Sequence, residues 1–272
     1  MRLNHKSGLN TNSSVRESGL SGKITSKFDP KRVSVFVLCG GYGTRLRDLT
    51  KDSVPKPLFP INGKPIIEYN IQPLIDAGVG QINFVVAHQG EKIVRHFETS
   101  TIRNTTQITF TDQGEPNGVI TGLQLALHKY LKPSDNYFII SDGDTIRHGF
   151  EIKEFFLSHK QSRAASTLLT TSVEKTEKHY GVLTNERNYV EKIVCYPPSG
   201  TIKDNRIFAG LIMCNKTIKK LILKKEHEDL SWYGLLTSLV ASGEAGTHTG
   251  NFLYFNINSP DVVVEVESIL KL

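Results

Sequence analysis

Hydrophobic and polar residues follow two regimes along this chain. Up to about residue 30, Ser, Asn, Gly and Lys dominate and large apolar side chains are scarce. Such a segment cannot offset the entropy of ordering itself, so residues 1–31 are expected to form a flexible tail. An apolar run over 33–39 then reads as a strand and leads directly into Gly40-Gly41-Tyr42-Gly43. Asn62-Gly63 marks a turn, and Pro65 sits where a first helical residue is preorganised. Ile67, Ile71 and Ile75 recur at helical spacing, and Gly78 is placed to close that helix as a left-handed cap. The pattern then predicts a strand over 82–87, a polar helix to about Phe97, a strand over 107–111, a helix over about 117–130 and a strand over 136–140.

Strands alternating with helices predict parallel βαβ units and a mostly parallel central sheet covered on both faces, a three-layer Rossmann-like α/β fold. From residue 164 the rhythm changes to strands, over 181–184, 189–194 and 206–213. Helices return near Ser231 and after Ser259, where Ser259-Pro260-Asp261 reads as an N-cap followed by a proline start. The expected organisation is one domain over 32–272 behind the tail.

Charge sharpens this division. The chain of 272 residues carries a formal charge of +6, but residues 1–32 alone hold seven Lys/Arg against Glu17 and Asp29, leaving a body close to neutral. A nearly neutral body argues against a nucleic-acid-binding face. Cys39, Cys195 and Cys214 form neither an even disulfide framework nor a C-x-x-C pair, which fits a reducing, cytoplasmic setting. No apolar run near the start approaches the ~20 residues of a spanning helix, and a hydrophobic signal core is lacking, so neither membrane insertion nor secretion is expected.

The chemistry concentrates in Gly40-Gly41-Tyr42-Gly43-Thr44-Arg45-Leu46, followed by Pro55-Lys56-Pro57. Glycines after a strand let backbone N–H groups approach an anion closely, and a guanidinium adds bidentate contact with phosphate. The arrangement is a triphosphate cradle, yet it lacks the Gly-Lys-Ser/Thr ending of a Walker loop and the spaced glycines of a dinucleotide fingerprint. The flanking prolines make Lys56 a fixed lysine. A second cluster, Ser141-Asp142-Gly143-Asp144, ends the apolar strand over 137–140, where α/β sheets gather their ligands. Asp142 is as open to a turn-stabilising role as to a metal role.

These motifs resemble the sugar-nucleotide pyrophosphorylase family, whose signature is G-G-x-G-T-R-L followed by P-K-P, and the resemblance covers roughly residues 33–270. It implies the nucleotide-diphospho-sugar transferase form of the α/β fold. It also implies transfer from a nucleoside triphosphate to a sugar 1-phosphate, giving a nucleotide-sugar and pyrophosphate with Mg²⁺ as cofactor. Arg45 and Lys56 then become the catalytic cations, and Leu38, Gly40, Gly41, Gly43, Thr44, Arg45 and Asp142 face the nucleotide. Glu115-Pro116-Asn117-Gly118 is similar to the family's base- and sugar-reading segment, which assigns Glu115 and Gly118 to the same task. Asp144 stands at the family's Mg²⁺-binding aspartate. Tyr254-Phe255-Asn256 is similar to its W-x-D segment, which makes Asn256 the second metal ligand through an amide oxygen. Tyr180-Gly181-Val182 and Phe208-Ala209-Gly210 match strands near the sugar, assigning Gly181 and Gly210 there.

The family's next E-K-P is replaced by Cys195-Tyr196-Pro197. Loss of a hydroxyl-binding glutamate and a phosphate-binding lysine points to an unusual sugar or cyclitol phosphate read partly by Tyr196, with Arg206 or Arg147 supplying the missing charge. Two alternatives stay open: a non-catalytic nucleotide-sugar-binding regulator, and a cytidylyltransferase for a non-sugar phosphate. A homo-oligomer is compatible with each.

Overall fold

The computed structural model describes residues 29–51, 53–115, 117–224, 227 and 229–271, with the backbone alone described for Arg45 and Asp48. Most of the expected tail therefore lies outside the described residues. From Asp29 the chain is attached to the body: the N–H of Gly80 donates to the Pro30 carbonyl (3.3 Å), and Arg32 donates through Nη2 to the Ser134 carbonyl (2.7 Å).

In chain order the elements are β1 (Val33–Leu38), α1 (Arg47–Thr50), β2 (Pro60–Ile61), β3 (Lys64–Pro65), α2 (Ile66–Asp76), β4 (Gln81–Val86), α3 (Gly90–Glu98), β5 (Gln107–Asp112), α4 (Val119–Tyr130), β6 (Tyr137–Asp142) and β7 (Thr145–His148). They continue with α5 (Ile152–Ser162), β8 (Ser166–Ser172), β9 (Tyr180–Thr184), β10 (Val190–Cys195), β11 (Arg206–Asn215), α6 (Lys219–Ile222), α7 (Trp232–Ala241), β12 (Ala245–Thr249), β13 (Leu253–Asn256) and α8 (Pro260–Ile269).

The main sheet runs β10-β9-β11-β6-β1-β4-β5, with β8 paired to β11 and β12 to β8. Its centre is parallel: β1 lies between β4 and β6, and β5 extends the set. Beyond β6 the pairing turns antiparallel at β11, which is the change of rhythm seen after residue 164. β7 and β13 form a separate antiparallel pair, with Asn256 opposite Thr145.

Alternation along β1 builds both faces. Val33, Val35 and Val37 enter one core with Ile67, Ile71 and Leu74 of α2 and Phe97 of α3. Phe36 points the other way, against Leu123 and Leu127 of α4 and Leu236 of α7. A third, smaller cluster packs Val263 and Val266 of α8 on Ile61, Ile66 and Phe255. Three layers result because each strand of a twice-covered sheet needs apolar residues on both sides.

Helix boundaries follow local chemistry. Gly78 adopts φ +82 beyond the end of α2, and its N–H donates to the Ile75 carbonyl (2.8 Å). Ser231 caps α7, its hydroxyl accepting from the N–H groups of Tyr233 and Gly234. Pro65 stands one position earlier than expected, as the extended N-cap of α2, because it also closes the small β2–β3 pair. Among the described residues, no helix is long and apolar enough to cross a membrane.

Candidate active site

The loops after β1 and β6, together with the start of α4, converge on a cleft of about 480 Å³ at the carboxyl ends of the parallel strands, where open α/β sheets bind ligands. Leu38, Gly40, Gly41, Gly43 and Thr44 line one side, Gly118 the next, and Asp142, Asp144 and Asn256 the floor. Gly43 takes φ +63 to turn the loop into the short 3₁₀ segment Thr44–Leu46. A Cβ at Gly43 would also press on the Lys56 stem at 3.2 Å, so a side chain there would be both strained and crowded.

Lys56 belongs to a tight turn, in which the N–H of Leu58 donates to the Pro55 carbonyl (2.8 Å) and Pro57 is buried. The side chain is 11% exposed, and its Nζ donates to Oδ2 of Asp144 at 2.5 Å. The β7–β13 pairing sets Asn256 opposite the residue after Asp144. Lys56, Asp144 and Asn256 therefore line the same cleft.

Beneath them lies a buried ion pair. Asp142 Oδ1 accepts from Arg147 Nη2 (2.6 Å) and from the hydroxyl of Thr145 (2.5 Å). Arg147 also donates through Nε to the Ala209 carbonyl and through Nη2 to that of Gly210, both at 2.7 Å. These carbonyls are available because the β8–β11 ladder shifts register between Phe208 and Ile212, a bulge that re-aims the backbone. Gly210 takes φ +73 there, and a Cβ on it would fall on the Asp142 carboxylate.

Burial pushes the Asp142 carboxyl up from 3.8 to about 6, against the pull of Arg147 and with a further push from Asp144. A carboxyl raised by folding stabilises the folded state through its protonated form. Its contribution is fully present below the unfolded value near 3.8 and is lost as the pH rises through about 6. In ligand-free protein kept in EDTA, the stability of Asp142→Asn relative to wild type should therefore rise between about pH 4 and 6. Urea unfolding across that range tests this, and parallel pH profiles would refute it.

The far wall is aromatic and holds one cation. Tyr180, Tyr196, Phe208, Trp232 and Tyr254 line it beside Lys178 and His179. The Tyr180 and Tyr196 rings stack at 5.8 Å with planes 23° apart. Burial, and then the charge of Lys178, push the His179 imidazole below its ordinary value. Burial and Asp142 raise the Tyr254 phenol, which keeps it protonated.

Of the residues expected from sequence, Leu38, Gly40, Gly41, Gly43, Thr44, Lys56, Gly118, Asp142, Asp144, Tyr196 and Asn256 share this cleft. The side chain of Arg45 lies outside the described residues. Glu115 is off the lining, its carboxylate accepting from the Tyr42 hydroxyl at 3.4 Å. Gly181 and Gly210 are also off it: Gly181 packs under Pro197 and Ile202, and Gly210 makes room for Asp142. Neither proposed substitute cation lines the cleft. Arg147 is consumed by Asp142 and two carbonyls, and Arg206 donates to Thr184 Oγ1 (3.2 Å). Sequence reasoning missed Lys178, Gln113 and Trp232. Lys178 sits in the polar run Glu174-Lys175-Thr176-Glu177-Lys178, which carries no signal separating it from a solvated loop.

Among the described residues no three His, Cys, Asp or Glu side chains gather into a metal cluster. Asp144 and Asn256 instead offer two hard oxygen donors that face open cleft, and an ion held there needs oxygens from an incoming ligand to complete its shell.

A family model described as nucleotidyl transferase matches residues 34–243. Among curated relatives, a mannose-1-phosphate guanyltransferase of Candida albicans is 35% identical over 189 residues, covering 68% of this chain and 51% of that protein. The chain spans about half the length of the curated relatives it matches. Among solved structures, HddC from Yersinia pseudotuberculosis superposes with a TM-score of 0.72 at 22% identity, over 87% of this chain and 99% of that one. A UDP-glucose pyrophosphorylase complexed with UDP-glucose gives 0.74 at 16%, over 88% and 98%. At these identities the two structures speak to the fold alone, and they share the mixed sheet described above.

Proposed function

Because the chain belongs to the nucleotidyl transferase family, we propose that it joins a nucleoside triphosphate to a sugar 1-phosphate, releasing pyrophosphate. A sugar-phosphate oxygen attacks the α-phosphorus, a new P–O bond forms, and the bond from that phosphorus to the bridging oxygen of the β-phosphate breaks as pyrophosphate leaves. Such transfers depend on positioning and on neutralising spread-out negative charge rather than on a protein nucleophile. The observation that carries the reading is the single cleft holding the glycine loop, Lys56 and Asp144, with Nζ and carboxylate 2.5 Å apart.

The chain's own groups divide the work. N–H groups of the glycine loop receive phosphate oxygens, and Lys56 offers its charge at the reacting phosphate once ligand competes for it with Asp144. Two carboxylates on the floor repel a bare triphosphate, so the donor set suits a divalent cation, with Mg²⁺ the ion proposed and Asp144 and Asn256 as its ligands. When bound, that ion would neutralise phosphate charge and orient the triphosphate. The names of the relatives favour GTP as donor and mannose 1-phosphate as acceptor, while Cys195 and Tyr196 favour a less common sugar or cyclitol phosphate.

The test is pyrophosphate release across the five common nucleoside triphosphates, each with mannose 1-phosphate, glucose 1-phosphate, inositol 1-phosphate and phosphocholine. Release with GTP and a sugar or cyclitol phosphate, abolished by EDTA and restored by Mg²⁺, is the expected result. A kcat/KM for mannose 1-phosphate of about 10⁴ M⁻¹s⁻¹ or above would assign a common hexose. Release with phosphocholine alone, or nucleotide binding without any release, would replace this reading by a non-sugar cytidylyltransferase or a regulatory binder.

A further inference from the structure

Resting on the proposed reaction, we infer that Lys178 holds the phosphate of the sugar 1-phosphate and that the neighbouring Tyr180–Tyr196 stack holds the sugar ring. Lys178 and Lys56 are the lysines and arginines that line the cleft among the described residues. Lys56 is engaged by Asp144. Arg147, just behind, is engaged by Asp142. Lys178 lines the cleft, is exposed, and has no ion pair among the described residues. A phosphate dianion arriving beside two floor carboxylates needs a cation not already spent on one of them. Lys178 meets that requirement.

Its backbone is held for the task. The N–H of His179 donates to the Thr176 carbonyl (2.9 Å), closing a turn with Lys178 inside it. The turn is tied to the loop after β10 by several bonds. Thr176 Oγ1 donates to the Pro197 carbonyl (2.7 Å), the Thr176 N–H donates to Ser199 Oγ (3.1 Å), and the Ser199 N–H donates to Glu177 Oε1 (3.0 Å). Thr176 itself is fully buried. A long, exposed lysine on such a base loses its own rotamer freedom on binding but needs no reordering of backbone.

The same loop contact couples Lys178 to Tyr196. Cys195 pairs with Tyr180 in the β9–β10 ladder, and the Tyr196 N–H donates to the His179 carbonyl (2.9 Å). Lys178 and Tyr196 thus line one cleft from adjoining segments of the chain. Tyr196 takes φ +48 and is 49% exposed, with its ring stacked on Tyr180, which in turn stacks on Tyr233 at 6.3 Å. A left-handed non-glycine residue is strained and persists where the surroundings impose it. Here it presents an exposed aromatic ring in the cleft that Lys178 also lines, suited to the C–H face of a sugar whose phosphate is on the lysine.

The test combines steady-state pyrophosphate release with calorimetric binding of mannose 1-phosphate and inositol 1-phosphate to the full chain in Mg²⁺. Lys178→Ala should raise KM and Kd for the sugar or cyclitol phosphate about 10- to 100-fold, the range of one charge-assisted bond. KM for the nucleotide should stay unchanged, Lys178→Arg should keep most of the affinity, and Lys178→Ala combined with Tyr196→Lys should regain part of it. Unchanged sugar-phosphate affinity in Lys178→Ala, an equal loss of nucleotide affinity, or no binding of either probe by wild type would overturn the inference. Binding that depends on Lys178 without any pyrophosphate release would leave it standing and refute the proposed reaction. Release indifferent to Lys178 would do the reverse.

Discussion

Lys56→Ala is expected to lower kcat for pyrophosphate release by about 10²-fold or more while the fold stays intact. Nζ lies 2.5 Å from Asp144 in a turn clamped by Pro55 and Pro57, so its position is set before ligand arrives. A charge aimed in advance at the reacting phosphate acts on the transition state, where negative charge is redistributed, more than on the ground state. Stability should change little, because Asp144 is 36% exposed and water can replace the lost partner. Arg45→Ala should behave likewise if its guanidinium serves the leaving phosphates, as the motif implies. Circular dichroism and thermal melting establish folding, and single-turnover kinetics give the chemical step. A folded Lys56→Ala with near-normal turnover would remove Lys56 from the reaction.

Arg147→Met should act mainly on stability, lowering it by about 3–5 kcal/mol. The guanidinium is 3% exposed and satisfies Asp142 together with the Ala209 and Gly210 carbonyls. Methionine fills part of the volume but leaves a buried carboxylate without its cation, held only by hydrogen bonds such as that of the Thr145 hydroxyl, and removes the guanidinium from two carbonyls. Because the Asp142 carboxyl is already raised to about 6 by burial, removing its cation pushes it higher. The penalty should therefore shrink as the pH falls and Asp142 takes a proton. Asp142→Asn in the same background should recover part of the loss. Urea unfolding of the four proteins forms a double-mutant cycle, and a cost below about 1 kcal/mol, or additive losses, would show that the pair is not the support described.

Much of the central fold was legible because its signals are local. Val33, Val35 and Val37 alternate with Phe36 in a run that follows Lys31-Arg32 and ends at Gly40-Gly41, which defines β1 within a residue. The spacing of Ile67, Ile71 and Ile75 and the positive φ required at Gly78 define α2. The helix α5 was not foreseen. Its core contacts come from Ile152, Phe155 and Phe156, while Lys153, Glu154, His159 and Lys160 interrupt the apolar pattern. His159 is nevertheless buried, with ring nitrogens bonded to Thr167 Oγ1 (2.7 Å) and Asn215 Oδ1 (3.1 Å) from β8 and β11. No periodicity announces a histidine paid for by partners distant in sequence.

What the amino-acid sequence determined by itself was one part of the cleft lining: the glycine loop, Lys56 between its prolines, and the acidic pair at the end of β6. Backbone freedom, a fixed cation and carboxylates at a strand end are properties of short segments, so residue type and spacing suffice to state them. The tertiary structure alone decided which charges remain available. It buried Arg147 against Asp142 across a bulge in β11, kept Arg206 and Glu115 off the cleft, and turned Gly210 into space for a carboxylate. It also brought Lys178 from an unremarkable polar run to the cleft wall through hydrogen bonds between the Thr176 turn and the loop at Pro197 to Ser199. Charge becomes usable or spent according to partners in space, and those partners are set by register and loop pairing across strands, which no local pattern encodes.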